Sequence, residues 1–108
     1  MRRNGGHALV AFILNKGWAD DAMAAARKAG ATGGTVVAGR GTGREEDVRF
    51  FGITLVPEKE ILLVLVEDEK ADAVLEAVKT VPCLAEPGSG IAFRLEATDF
   101  VRLGKLPS

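Results

Sequence analysis

Residues Ile61–Val81 read ILLVLVEDEKADAVLEAVKTV, and the hydrophobic pattern changes in the middle. Ile61–Val66 is an unbroken apolar run of strand length, the most hydrophobic in the chain, and reads as a central strand. From Glu67 the spacing turns helical. Ala71, Val74, Leu75 and Val78 fall at i, i+3, i+4 and i+7, one face of a helix over Glu67–Val81. Glu67, Asp68 and Glu69 load its start with negative charge, Asp68 is the expected N-cap, and Pro82 stops it.

An earlier strand–helix pair mirrors this one. His7–Leu14 (HALVAFIL) is mostly apolar without alternation, as in a strand covered on both faces. Trp18–Ala29 reads as a helix, with Asp20 and Asp21 in its first turn, Arg27 and Lys28 in its last, and Gly30 placed to end it. Its alanines make a thin helix that can lie close to a sheet. Gly34–Gly39 (GTVVAG) is a second strand, followed by a glycine-rich, charged loop from Arg40 to about Arg49. Phe51–Val66 is expected to be extended, interrupted at Pro57–Glu60. Beyond the second helix, Pro87-Gly88-Ser89-Gly90 leads to a last strand, Ile91–Leu95, and a tail, Thr98–Leu106, that packs as a further extended piece.

The order is β-α-β-β-α-β in one domain spanning residues 1–108: an α+β, ferredoxin-like sandwich with an antiparallel sheet and both helices on one face. The strands look apolar on both sides, so another copy of the chain is expected to cover the open sheet face.

Composition narrows the function classes. A net charge of −1 gives no broad basic field, which argues against nucleic acid as a partner. The apolar runs are too short for membrane insertion, and Arg2-Arg3 reads as a frayed start without the pattern of a signal peptide. A single cysteine, Cys83, and a single histidine, His7, make neither an internal disulfide nor a zinc site, so a reducing, cytoplasmic setting is expected. No nucleophile lies beside a plausible base, so no catalytic residue is assigned and the protein is read as a non-enzyme.

Four segments carry candidate chemistry. Gly41-Thr42-Gly43-Arg44 after the second strand, and Gly88-Ser89-Gly90 before the last, are either plain tight turns or cradles in which backbone N–H groups approach an anion. The first lacks the context of a dinucleotide fingerprint and the lysine of a P-loop. On this reading the two turns lie at opposite ends of the sheet and meet only across subunits. The third segment, Glu45, Glu46, Asp47, Val48, Arg49, Phe50 and Phe51, is either a solvated loop or a surface for a partner. The fourth is the basic pair Arg102 and Lys105, solvated or on a phosphate.

On these residues the chain resembles the PII signalling family, including its divergent PII-like members. Thr35, a five-residue gap and Gly41-Thr42-Gly43-Arg44 match a family pattern. Gly88-Ser89-Gly90 with Phe93 is similar to a second, and Arg102 and Pro57 fit further positions. The resemblance implies a homotrimer that binds an adenine nucleotide (ADP, AMP or ATP) in clefts between subunits. Thr35, Gly41, Thr42, Gly43 and Arg44 would lie on the adenine and ribose side. Gly88, Ser89, Gly90, Arg102 and Lys105 would lie near the phosphates. A T-loop over about 44–52 would regulate a target protein, an enzyme or a transporter.

Departures from the family pattern set further expectations. Ile91 stands where the family has a phosphate-binding lysine, Gly104, with Lys105 beside it, where it has a second arginine, and Glu58, with Lys59 adjacent, where it has the lysine after the proline. Fewer phosphate-binding charges favour ADP or AMP over ATP. Glu45 replaces a glutamine and repels a dicarboxylate, which leaves magnesium binding open. The absence of tyrosine excludes uridylylation. The alternative is a CutA-like trimeric metal-tolerance or structural protein without nucleotide binding, in which the glycine turns are only turns.

Overall fold

A computed structural model describes residues 6–41, 48–50, 53–55, 58–101 and 103–104. The elements follow the expected order: β1 (His7–Asn15), α1 (Ala19–Lys28), β2 (Thr35–Arg40), β3 (Val48–Phe50), β4 (Ile53–Leu55), β5 (Glu58–Glu67), α2 (Asp68–Lys79), a short 3₁₀ turn (Pro82–Leu84) and β6 (Gly90–Ala97). Four strands form one antiparallel sheet in the order β2-β5-β1-β6, so the apolar run Ile61–Val66 is indeed in a central strand. β3 and β4 pair with each other as a separate hairpin inserted between β2 and β5.

The two sheet faces follow from strand alternation. Even-numbered residues of β1 and β5 point to the helices: Ala8, Val10, Phe12 and Leu14, with Leu62, Val64 and Val66, are all buried. Ala22 and Ala26 of α1, and Ala71, Val74 and Val78 of α2, close the core against them. The layers sit close. A Cβ on Gly34 would come within 2.8 Å of Met23 Sδ and 3.0 Å of Leu62 Cδ1.

The odd-numbered face carries Leu9, Ala11 and Ile13, flanked in register by Leu65, Leu63 and Ile61 on one side and Leu95, Phe93 and Ile91 on the other. Much of this apolar sheet is open: Ile91 is 61% exposed and Leu95 52%.

Helix α1 ends as its glycine predicts. Gly30 has φ +116°, its N–H donates to Arg27 O, and Ala31 N–H donates to Ala26 O, 3.0 Å. This is the paired closing bond of a Schellman motif, which satisfies carbonyls the helix leaves open.

Several expectations need correction. The N-cap of α2 is Glu67, still extended at φ −64°, ψ 147°, because it completes β5 opposite His7. Asp68 is already helical, and its side chain accepts from Arg94 Nη2 at 3.0 Å. Glu58–Glu60 do not interrupt the extended segment but begin β5, pairing with Ala38–Arg40. They tolerate the sheet because each charge has a partner on a neighbouring element, as described below. The last strand is longer than Ile91–Leu95. No strand forms among the described residues after Ala97, and Phe100 instead sets its ring edge-on to His7, 4.7 Å between centroids.

Candidate functional site

The two glycine turns lie at the same end of the sheet, on opposite edge strands, which corrects their expected placement at opposite ends. Gly41 directly follows β2, whose last residue Arg40 pairs with Glu58 at the start of β5. Gly90 opens β6 beside Leu14, near the end of β1. Antiparallel pairing of β1 with β5 places Asn15 beside Lys59, and Lys59 beside Gly39, so the four strand ends line up.

Side chains join them. Lys59 Nζ donates to Asn15 Oδ1 at 2.7 Å, and Asn15 Nδ2 donates to the Gly88 carbonyl at 3.3 Å. A Cβ on Gly41 would sit 4.0 Å from Lys59 Cγ, so the lysine stem passes beside Gly41. A polar line thus runs from Gly41 through Lys59 and Asn15 to Gly88. Lys59 is 7% exposed, the only charged side chain that is buried among the described residues.

Two carboxylates described at this end, Glu58 and Glu60, are engaged. Glu60 Oε1 accepts from the backbone N–H groups of Gly17, 2.9 Å, and Ala19, 3.1 Å. It therefore caps α1, whose own N-cap residue Trp18 offers no side-chain bond. Glu58 Oε2 pairs with Lys16 Nζ at 2.7 Å. That hydrogen bond, reinforced by the attraction of unlike charges, raises the Lys16 pKa and lowers that of Glu58.

The glycines differ in what they do. Gly90 has φ +151°, and a Cβ there would overlap the carbonyl oxygen of Ile13, so only glycine lets β6 start against β1. Gly88, at φ +82°, is left-handed with open space around it. Ser89 is buried, its hydroxyl facing the carbonyls of Cys83 and Glu86 and its N–H donating to Glu86 O. Its side chain holds the loop together.

Thr35 lies apart from this cluster. It opens β2 at the far end of the sheet, opposite Leu63, and lines a groove with His7, Gly34, Leu65, Phe100 and Val101. The structure thus brings together Gly41, Gly88, Ser89 and Gly90, and leaves Thr35 at the other end of the open face. Val48, Arg49 and Phe50 form β3. Thr42, Gly43, Arg44, Glu45, Glu46, Asp47, Phe51, Arg102 and Lys105 lie outside the described residues. Sequence reasoning missed Asn15, Arg40 and Glu60, and noted Lys59 only as a neighbour of Glu58. The available signal was the alternation of Glu58-Lys59-Glu60, which in a strand sends the lysine to one face and both glutamates to the other.

Among the described residues, no helix is long and apolar enough to cross a membrane, and no three His, Cys, Asp or Glu side chains are grouped to hold a metal. Cys83 is a free, half-buried thiol 3.8 Å from Asp21 Oδ2.

A family model described as nitrogen regulatory protein P-II matches residues 7–105. No curated protein matches the chain. Among solved structures, the crystal structure of Arabidopsis thaliana PII bound to citrate is similar, with a TM-score of 0.67 and 21% identity, covering 93% of this chain and 82% of that one. That likeness concerns the fold, and the family match extends over the sheet, both helices and both glycine turns. The chain belongs to the P-II nitrogen regulatory family, whose members are non-enzymatic signalling proteins.

Proposed function

We propose that the protein is a PII-like signal-transduction module of the cytoplasm. It works as a homotrimer, binds an adenine nucleotide at clefts between subunits, and regulates a target enzyme or transporter. The observation that carries this reading is the meeting of the Gly41 and Gly88–Gly90 turns at one end of the sheet through Lys59 and Asn15. Glycine turns let main-chain N–H groups approach phosphate oxygens, and a nearby cation supplies charge. Citrate on the Arabidopsis PII is likewise a small polyanion.

The open apolar face supports the trimer, since Ile91, Phe93 and Leu95 would otherwise remain in water. Covering that face would set each glycine end against a neighbouring chain. Thr35, at the far end of the open face, then takes the adenine, and Gly41, Thr42, Gly43 and Arg44 take the ribose side toward the phosphates. Gly88, Gly90, Arg102 and Lys105 take the phosphates, with Ser89 holding the second turn in shape. ADP or AMP is the preferred ligand.

Signal output is assigned to the segment over about 44–52, from Glu45, Glu46 and Asp47 through Phe51. This stretch leaves the sheet after Gly41 and returns before Glu58, and its two roots are tied by the Arg40–Glu58 pairing. A ligand beside Gly41 therefore acts where the inserted segment is anchored. It shifts that segment's population only by the difference in its affinity for the two states.

Sedimentation equilibrium combined with a thermal-shift panel of ATP, ADP, AMP and adenosine tests this reading. Expected are a three-chain mass and stabilisation by ADP or AMP that exceeds that by adenosine. A monomer, or no response to any nucleotide, contradicts it.

A further inference from the structure

Two strands of the sheet have a free side. In the order β2-β5-β1-β6, β2 pairs only with β5 and β6 only with β1. Among the described residues, no backbone hydrogen bond joins the outer side of either strand to another element. A strand edge is usually guarded by proline, by charge or by a covering segment. Neither strand contains proline, and the one charge of β2 is Arg40, its last residue. In β6, Arg94 turns toward α2, where Asp68 and Asp72 hold it, leaving Glu96 as the other charge of the strand. β2 is also apolar on both faces: Val36 on the helix side and Val37 on the open side are both exposed. That composition suits a strand with neighbours on either side.

Direction makes the two edges complementary. Every neighbouring pair in the sheet is antiparallel, so β2 and β6 run in opposite directions. A second copy turned about an axis along the strands therefore brings its β2 against β6 of the first as a further antiparallel pair. The rows of side chains continue across such a joint. Val37, Ile61, Ile13 and Ile91 form one row on the open face, and Val36, Leu62, Phe12 and Ala92 form one on the helix face. Both ends of a row lie on the same face, so the joint keeps the apolar side inward and the helices outward.

We infer that β2 of each chain pairs with β6 of the next, so that three copies close into one continuous ring of strands. The inference rests on the trimer reading and deepens it by naming the surfaces that join. The interface is heterologous, two different edges meeting head to tail, and a three-fold rotation closes it. Neither β2 nor β6 is then an edge. The joint also shapes the ligand site. Within one chain, Gly41 and Gly90 stand at opposite edges, three strand steps or roughly 14 Å apart. Ala38 is level with Gly90 through Glu60 and Leu14, so the chain leaving β2 at Gly41 passes the Gly88 turn of the next copy. Each ligand then lies between two chains and meets main-chain N–H groups from both.

Disulfide trapping in a Cys83→Ser background tests this, with sedimentation equilibrium on the same samples. Val37→Cys is combined in turn with Ile91→Cys, Phe93→Cys and Leu95→Cys, which covers the even register shifts that strand tilt introduces in a closed ring. All four positions are exposed in the single chain, so the substitutions spare the core. Expected is a covalent three-chain band on a non-reducing denaturing gel from one of the double variants. No single-cysteine variant links, because a head-to-tail joint never brings like positions together. Hydrogen exchange of the wild type gives a second readout that needs no variant: amides of β2 and β6 exchange slowly, with those of β1 and β5. A three-chain mass with no linkage from any of the pairs, or with fast exchange in β2 and β6, overturns the inference and leaves the trimer standing. Linkage in a single-cysteine variant also overturns it, since like edges then meet. A monomer overturns both.

Discussion

Glu60 caps the helix that begins at Ala19: its Oε1 accepts the Ala19 N–H at 3.1 Å from a strand 41 residues further along the chain. A central strand and a helix are thereby locked together by one carboxylate. Glu60→Ala is expected to destabilise the fold by about 1–2 kcal/mol, the usual cost of a lost helix cap. Glu60→Gln, which keeps an accepting oxygen, costs less. Urea denaturation of the three proteins measures both.

Gly90 and Gly88 make a graded pair. Gly88→Ala meets only the penalty of a left-handed backbone, roughly 1–2 kcal/mol. Gly90→Ala adds a collision with the Ile13 carbonyl, so β6 cannot keep its register, and the loss exceeds that of Gly88→Ala. Thermal unfolding of the two variants should rank them in that order. Equal losses would mean that the strand start gives way easily.

Much of this architecture is legible without coordinates. The 3.6-residue spacing of Ala71, Val74 and Val78 and the run Ile61–Val66 state their elements plainly, because burial in one face is a local periodic property. Glu58-Lys59-Glu60 is not legible as strand. Its charges are tolerated only because Lys16, Asn15 and the α1 amides stand opposite, partners supplied 41 to 44 residues away. The same holds for the site. Glycines announce turns, but which end of the sheet they share depends on the antiparallel register of β1 with β5 and β6. Ile91-Ala92-Phe93-Arg94-Leu95 carries a single charge, and the contacts of Arg94 with Asp68 and Asp72 of α2 reveal which face is open.

The Lys16–Glu58 pair carries a pH signature. Its hydrogen bond lowers the Glu58 pKa, so its contribution is present above the usual carboxylate range and is lost as pH falls through the lowered folded value. The raised Lys16 pKa works at the other limit: its contribution is present below the usual lysine value and is lost as pH rises through the raised one. In a carbon-detected NMR titration, Lys16→Met should return the Glu58 pKa toward the ordinary carboxylate value. Because both groups are exposed, Tm at neutral pH should barely change.

The open face makes a separable prediction. Phe93→Asp and Leu95→Asp place charges opposite Ala11 and Leu9, on the apolar side away from the helices. Each is expected to dissociate the proposed trimer into folded monomers, read by light scattering and circular dichroism. A trimer that survives both substitutions would show that another surface holds it together.

Everything functional here turns on where the ligand sits. An amide-resolved NMR titration of the wild-type protein with ADP addresses that directly. The account predicts the largest shifts at the N–H groups of Gly39, Gly41, Gly88 and Gly90, accompanied by Asn15 and Lys59. Shifts confined to the far side of the molecule, in the groove that Ala25 of α1, Ala77 of α2 and Cys83 line, or none at saturating ADP, would contradict it.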